Sequence, residues 1–151
     1  MCIRDRNGIV AGTVGGGIII APAVGGSALA TIMNVRSNNN IVGLKTDASN
    51  GGTVIASIQL SSFSGNVFAG LHALSLGATS SIMVDMSNIN SNANNGLNAN
   101  GTNSVIRISR SNVIGNSGSF VVSNSGVVSS YNNNHIDGNA PNTAPPTIPE
   151  H

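Results

Sequence analysis

Two carboxylates held a few ångströms apart can share acid–base or nucleophilic work, and several oxygens converging on one point can hold Ca²⁺. The 151-residue chain has few groups for either task. Its acids are Asp5, Asp47, Asp85, Asp137 and Glu150, and its histidines are His72, His135 and His151. The cations are Arg4, Arg6, Arg36, Lys45, Arg107 and Arg110, and the lone thiol is Cys2. The central acids are far apart in sequence, so a catalytic pair or a metal cage depends on a fold that stacks distant segments side by side.

Composition narrows that fold. Only 7% of residues are charged and 3% aromatic, whereas Asn supplies 23 residues, Ser 21 and Gly 19. A soluble domain is usually about 25% charged. There is no basic footprint for nucleic acid and no charged tail. Asn, Ser, Gly and Thr disfavour long helices and heptad seams. The longest apolar stretch, Ile18 to Val24, is interrupted by Pro22 and falls far short of the ~20 residues that span a bilayer.

Residues 1–6, MCIRDR, match nothing downstream and resemble the translation of a transposase sequencing adapter. They are set apart from the fold. A short basic signal n-region is the rival reading, but no apolar stretch of useful length follows it. The remainder is neutral, with four basic and four acidic residues, and cysteine-free, so Cys2 says nothing about redox compartment. On this reading the chain is a fragment whose natural N-terminus, with any signal peptide or cap, is missing.

An internal repeat organises the rest. A Gly or Ser precedes a large apolar residue at Gly17-Ile18, Gly43-Leu44, Gly70-Leu71, Gly96-Leu97 and Ser119-Phe120, and the apolar members advance by 26, 27, 26 and 23 residues. A second anchor is an Asn: Asn38, Asn66, Asn92, Asn116 and Asn139, in steps of 28, 26, 24 and 23. Alignment on these Asn exposes apolar columns three residues before (Val35, Phe63, Ile89, Val113, Ile136) and eight before (Ala30, Ile58, Val84, Ile108, Tyr131). A third lies ten before (Ala28, Ala56, Ile82, Ile106, Ser129). Each segment alternates with strand period, and Gly, Asn, Ser and Thr fill the turns. Three short strands per ~25 residues describe one rung of a parallel β-solenoid, whose apolar faces are buried only by stacking at ~4.8 Å. The Asn carry donors and an acceptor and so can hydrogen-bond along the axis as a ladder. The Gly before each first strand is expected to allow a positive-φ corner.

The segments from Gly17 to Gly26 (GIIIAPAVGG), Asn95 to Gly101 (NGLNANG), Ser111 to Asn116 (SNVIGN), Asn134 to Asn139 (NHIDGN) and Pro145 to Pro149 (PPTIP) carry a resemblance. It is to secreted bacterial right-handed parallel β-helix repeat proteins of the pectin-lyase-like superfamily, in particular a group of unknown activity. The resemblance covers about residues 7–149. It implies an all-β solenoid with about five rungs of 23–28 residues and a partial N-terminal rung. The domains become an adapter-like 1–6, a β-helix over 7–139 and a Pro-rich tail over 140–151. Strand pairing is expected to stop at the tail, because Pro cannot donate to a ladder. Enzymes of the superfamily use clustered carboxylates with Ca²⁺ or a catalytic Arg or Lys on the outward face of one sheet.

By column, Asp47 aligns with Leu74, Asn100 and Ser123. Asp85 aligns with Gln59, Ser109 and Asn132, and Asp137 with Arg36, Ser64, Asn90 and Ile114. No acid pair forms, so no catalytic, cofactor or metal residue is assigned. Arg107 and Arg110 lack acidic column mates and read as surface residues. His135 reads as a polar turn position beside Asn34, Ser62, Asn88 and Asn112. Phe63, Phe120 and Tyr131 fall on core columns, and Phe68 alone could face outward. Lys45, His72 and Asn98 share the outward column of the first strand, between Ile19 and Val121. They form either a strip that contacts a polyol or glycan or a solvated sheet face. The expected function is a non-catalytic secreted or cell-surface module, adhesin-like or glycan-associated, with a polysaccharide and the missing rungs as partners. The alternative is a C-terminal fragment of a polysaccharide lyase or glycoside hydrolase.

Overall fold

The computed structural model describes residues 16–149. All regular structure among them is strand, arranged in three parallel sheets that stack about five turns of a β-solenoid. The first sheet holds β1 (Gly16–Ile20), β3 (Val42–Ala48), β6 (Ala69–Ser75), β9 (Asn95–Asn100) and β12 (Gly118–Ser123). The second holds β2 (Ser27–Met33), β4 (Thr53–Gln59), β7 (Ser80–Asp85), β10 (Ser104–Ser109), β13 (Val127–Tyr131) and β15 (Thr147–Ile148). The short third sheet holds β5 (Ser62–Ser64), β8 (Asn88–Asn90), β11 (Asn112–Ile114) and β14 (His135–Asp137). The adapter-like residues and the proposed remnant rung before Gly16 lie outside the described residues.

Apolar columns from the three sheets meet inside. Ile18, Leu44, Leu71, Leu97 and Phe120 align in the first sheet, and Phe63, Ile89, Val113 and Ile136 in the third. Ala30, Ala56, Ile82, Ile106 and Val128 line the second, beside Ile32, Ile58, Val84 and Ile108. These residues form one continuous core.

The register departs from the spacing at both ends. In the first rung the ladder residue is Asn40, not Asn38: its N–H donates 3.0 Å to Asn66 Oδ1. Asn40 is buried, whereas Asn38 is half-buried, its Oδ1 accepting from the Ser64 N–H at 2.9 Å. The cause lies one residue upstream. Each ladder Asn follows a left-handed residue: Asn39, Gly65, Ser91, Gly115 and Gly138. Only Asn40 in the Asn38-Asn39-Asn40 run has such a predecessor. The two-residue shift replaces Ala28 and Ala30 with Ala30 and Ile32 in the second-sheet core columns, and it pairs Arg36, not Asn34, with Ser62. In the last rung Val128 and Ser130, not Ser129 and Tyr131, face the core beside Ile106 and Ile108. One residue has moved from the first turn to the second, and it leaves Tyr131 half-buried.

The first-strand glycines also serve a different purpose from the one expected. Gly43 and Gly96 have no positive φ. A Cβ on Gly43 would lie 2.6 Å from the Gly70 carbonyl oxygen and 2.9 Å from Asn66 Nδ2. Glycine is needed there because the ladder amides run against the strand backbone.

Strand pairing continues beyond Pro141. Thr147 and Ile148 pair with Ser130 and Tyr131, and the Ser130 N–H donates 2.9 Å to the Pro146 carbonyl. The prolines lack an N–H, but their carbonyls still accept, so the tail lies along the last rung. Asn142 terminates the ladder by accepting from Asn139 Nδ2 at 3.1 Å.

Candidate functional site

The ladder is interior and structural. Asn66, Asn92 and Asn116 each donate Nδ2–H to the next ladder Oδ1 at 2.8–2.9 Å. The same Nδ2 groups of Asn92 and Asn116 also reach the Phe63 and Ile89 carbonyls, both at 3.1 Å. A second buried ladder, absent from the spacing analysis, runs five residues before the first. Ser61, Ser87 and Ser111 accept through Oγ from the N–H of Val35, Ser61 and Ser87 at 3.1–3.2 Å. The recurrence of Ser at that offset in three rungs was its sequence signal.

The outward column of the first sheet behaves differently. Lys45, His72 and Asn98 stand on adjacent strands, paired in register between Ile19 and Val121. Its middle members are shielded from solvent, His72 at 8% and Asn98 at 5% exposure, whereas Lys45 is half-buried and Ile19 exposed. The Phe68 ring, from the turn entering β6, lies 5.5 Å from the His72 ring at a tilt of 59°. Lys45 Nζ sits 2.7 Å from Asp47 Oδ2, two residues along its own strand. Burial raises the Asp47 pKa, but hydrogen bonds from Lys45 and Ser49 outweigh it, and the carboxyl ends below its ordinary value. Burial, reinforced by the Lys45 cation, lowers the His72 pKa to about 4. His72 is therefore neutral at pH 7.

Three buried side-chain atoms among the described residues lack a hydrogen-bond partner: Asn40 Oδ1, His72 Nε2 and Asn98 Oδ1. Asn40 is the first ladder residue described, so its free oxygen is the ladder's open end. His72 and Asn98 lie in the middle of the stack, and nothing in the repeat accounts for theirs. A buried polar atom without a partner costs about 1–3 kcal/mol. The two lie on adjacent strands, so the unmet groups sit side by side in the outward column.

The other candidate groups are dispersed. Asp47 is on the first sheet, Asp85 on the second and Asp137 on the third. Arg110 has no acidic column mate but does have an acidic partner outside its column. It reaches diagonally to the preceding rung to form a two-pronged pair with Asp85, with Nε 2.8 Å from Oδ1. His135 lies on the outer third sheet 4.0 Å from Asp137, and His151 lies outside the described residues. Among the described residues no three His, Cys, Asp or Glu side chains gather as a metal site, and no helix is long and apolar enough to cross a membrane. The fold defines the class of protein, a parallel β-solenoid. No protein-family model, curated protein or solved structure matches the chain.

Proposed function

We propose that this solenoid is a non-catalytic binding module that holds a hydroxyl-rich ligand, a neutral glycan or polyol, on the outer face of its first sheet. The observation that carries the reading is the pair of buried, unpartnered atoms His72 Nε2 and Asn98 Oδ1 on adjacent strands. The Phe68 ring supplies an apolar surface of the kind that sugar rings stack on. The Lys45–Asp47 pair adds a charged edge. Neutral His72 suits a neutral ligand, because it can donate or accept without a desolvated charge. The resemblance to secreted pectin-lyase-like β-helix proteins, together with the low charge, supports a secreted or cell-surface location and an adhesin-like role. The rival reading, part of a polysaccharide lyase or glycoside hydrolase, draws on that resemblance alone, because each sheet carries one acid.

A glycan array probed with the full chain tests the proposal, followed by titration of the best neutral glycan. His72→Ala and Asn98→Ala are each expected to weaken binding at least ~10-fold, the effect of one or two lost hydrogen bonds. Binding left unchanged in both variants would overturn the assignment.

A further inference from the structure

A second site emerges when the charges are paired off. Lys45 is matched by Asp47 and Arg110 by Asp85, while Asp137 faces His135. Arg36 and Arg107 remain, and neither has a carboxylate within ion-pair distance among the described residues. Arg107 stands on the open outer face of the second sheet. Arg36 lines a groove of about 530 Å³ at the corner between the second and third sheets.

Asn34, Asn38, Ser61, Ser62 and Asn88 also line that groove, and two of them have their carboxamide oxygens engaged. Asn38 Oδ1 is occupied by the Ser64 N–H at 2.9 Å, and Asn88 Oδ1 by Asn112 Nδ2 at 2.7 Å. With both carboxamide oxygens committed, Asn38 and Asn88 offer their Nδ2–H groups to the groove they line. A guanidinium and two amide donors therefore share a space that contains no acid. Leu60, left-handed at φ 49° and half exposed, forms an apolar wall beside them.

We propose that this groove binds an oxyanion — a carboxylate, sulfate or phosphate group — with Arg36 gripping two oxygens and Asn38 and Asn88 donating to what remains. A planar guanidinium fork matches such groups bidentately. The Leu60 wall accommodates the apolar body of a larger ligand that carries the anion. The groove shares no residue with the first-sheet strip, so the two sites fail or stand separately.

Calorimetric titration of the full chain at low salt tests this with acetate, sulfate, inorganic phosphate, glucuronate and glucose as probes. At least one oxyanion is expected to bind below ~10 mM. Arg36→Gln should weaken it by about tenfold or more, Asn88→Ala by less, and Arg107→Gln not at all. Glucuronate binding more tightly than acetate would assign the anion to a sugar, and equal affinity would assign a free ion; both support the site. It is overturned if no oxyanion binds, if glucose binds as well as glucuronate, or if Arg107→Gln weakens binding as much as Arg36→Gln. His72→Ala should leave these affinities unchanged.

Discussion

Asn92 and Asn98 lie six residues apart where one rung passes into the next, are both at least 95% buried, and have opposite environments. Asn92 points inward, and its amide meets the Asn66 amide, the Asn66 N–H, the Phe63 carbonyl and Asn116 Oδ1. Asn98 points outward beside His72 with its oxygen unmatched. A repeat satisfies its own ladder because every rung supplies the next partner. An outward column has no such guarantee, and where neighbouring rungs place different residues in it, unmet polarity collects. Burial of a polar residue is therefore uninformative in this fold until its partners are counted.

The largest effect expected is on the interior side. Val113→Asp puts a charge with no partner into a column 1% exposed and should cost more than about 4 kcal/mol, or abolish folding. An unchanged melting temperature would contradict the register. Gly43→Ala should follow closely, because its Cβ would sit 2.6 Å from a backbone oxygen that a sheet neighbour holds in place. That variant separates close packing from backbone freedom: a harmless substitution would mean that neither the Gly70 carbonyl nor the ladder amide of Asn66 is pressed against β3.

Acid sharpens the comparison from the outward side. His72 titrates near 4 in the fold and near 6.5 when unfolded, so between those values the unfolded chain binds more protons. Stability should fall as pH drops from about 6.5 to 4, by on the order of 3 kcal/mol. His72→Ala should remove that slope. Asp47, held below its ordinary value of 3.8, contributes stability that is lost only as pH falls further through its lowered pKa. Denaturant midpoints measured across pH 3–7 distinguish the two windows. At pH 7 His72→Ala should change stability by less than about 1 kcal/mol, the smallest effect of the series, because the loss of its packing is offset by removal of an unmatched nitrogen.

Much of the solenoid was legible because stacking repeats chemistry at a fixed interval: the Leu44–Leu71–Leu97 column and the Asn66–Asn92–Asn116 ladder recur in spacing alone. Errors arose where the interval was ambiguous. The Asn38-Asn39-Asn40 run offered three ladder candidates, and backbone handedness chose among them. The short last rung moved one residue between turns and displaced Tyr131. The Lys45, His72 and Asn98 alignment was also visible in spacing. Their burial was not, because the ring that approaches His72 belongs to Phe68, where the turns stacked on either side carry Ile41 and Asn94. The Arg110–Asp85 pair escaped a column analysis because long side chains reach diagonally.

The most direct test of the contrast is urea unfolding of Asn92→Ala and Asn98→Ala side by side at pH 7. Removal of the Asn92 amide strands several buried partners and should cost ~3–5 kcal/mol, whereas Asn98→Ala, which removes an unmatched oxygen, should cost less than ~1 kcal/mol or stabilise the chain. Equal losses in the two variants would show that the outward column is as fully satisfied as the ladder, and would contradict its reading as a binding site.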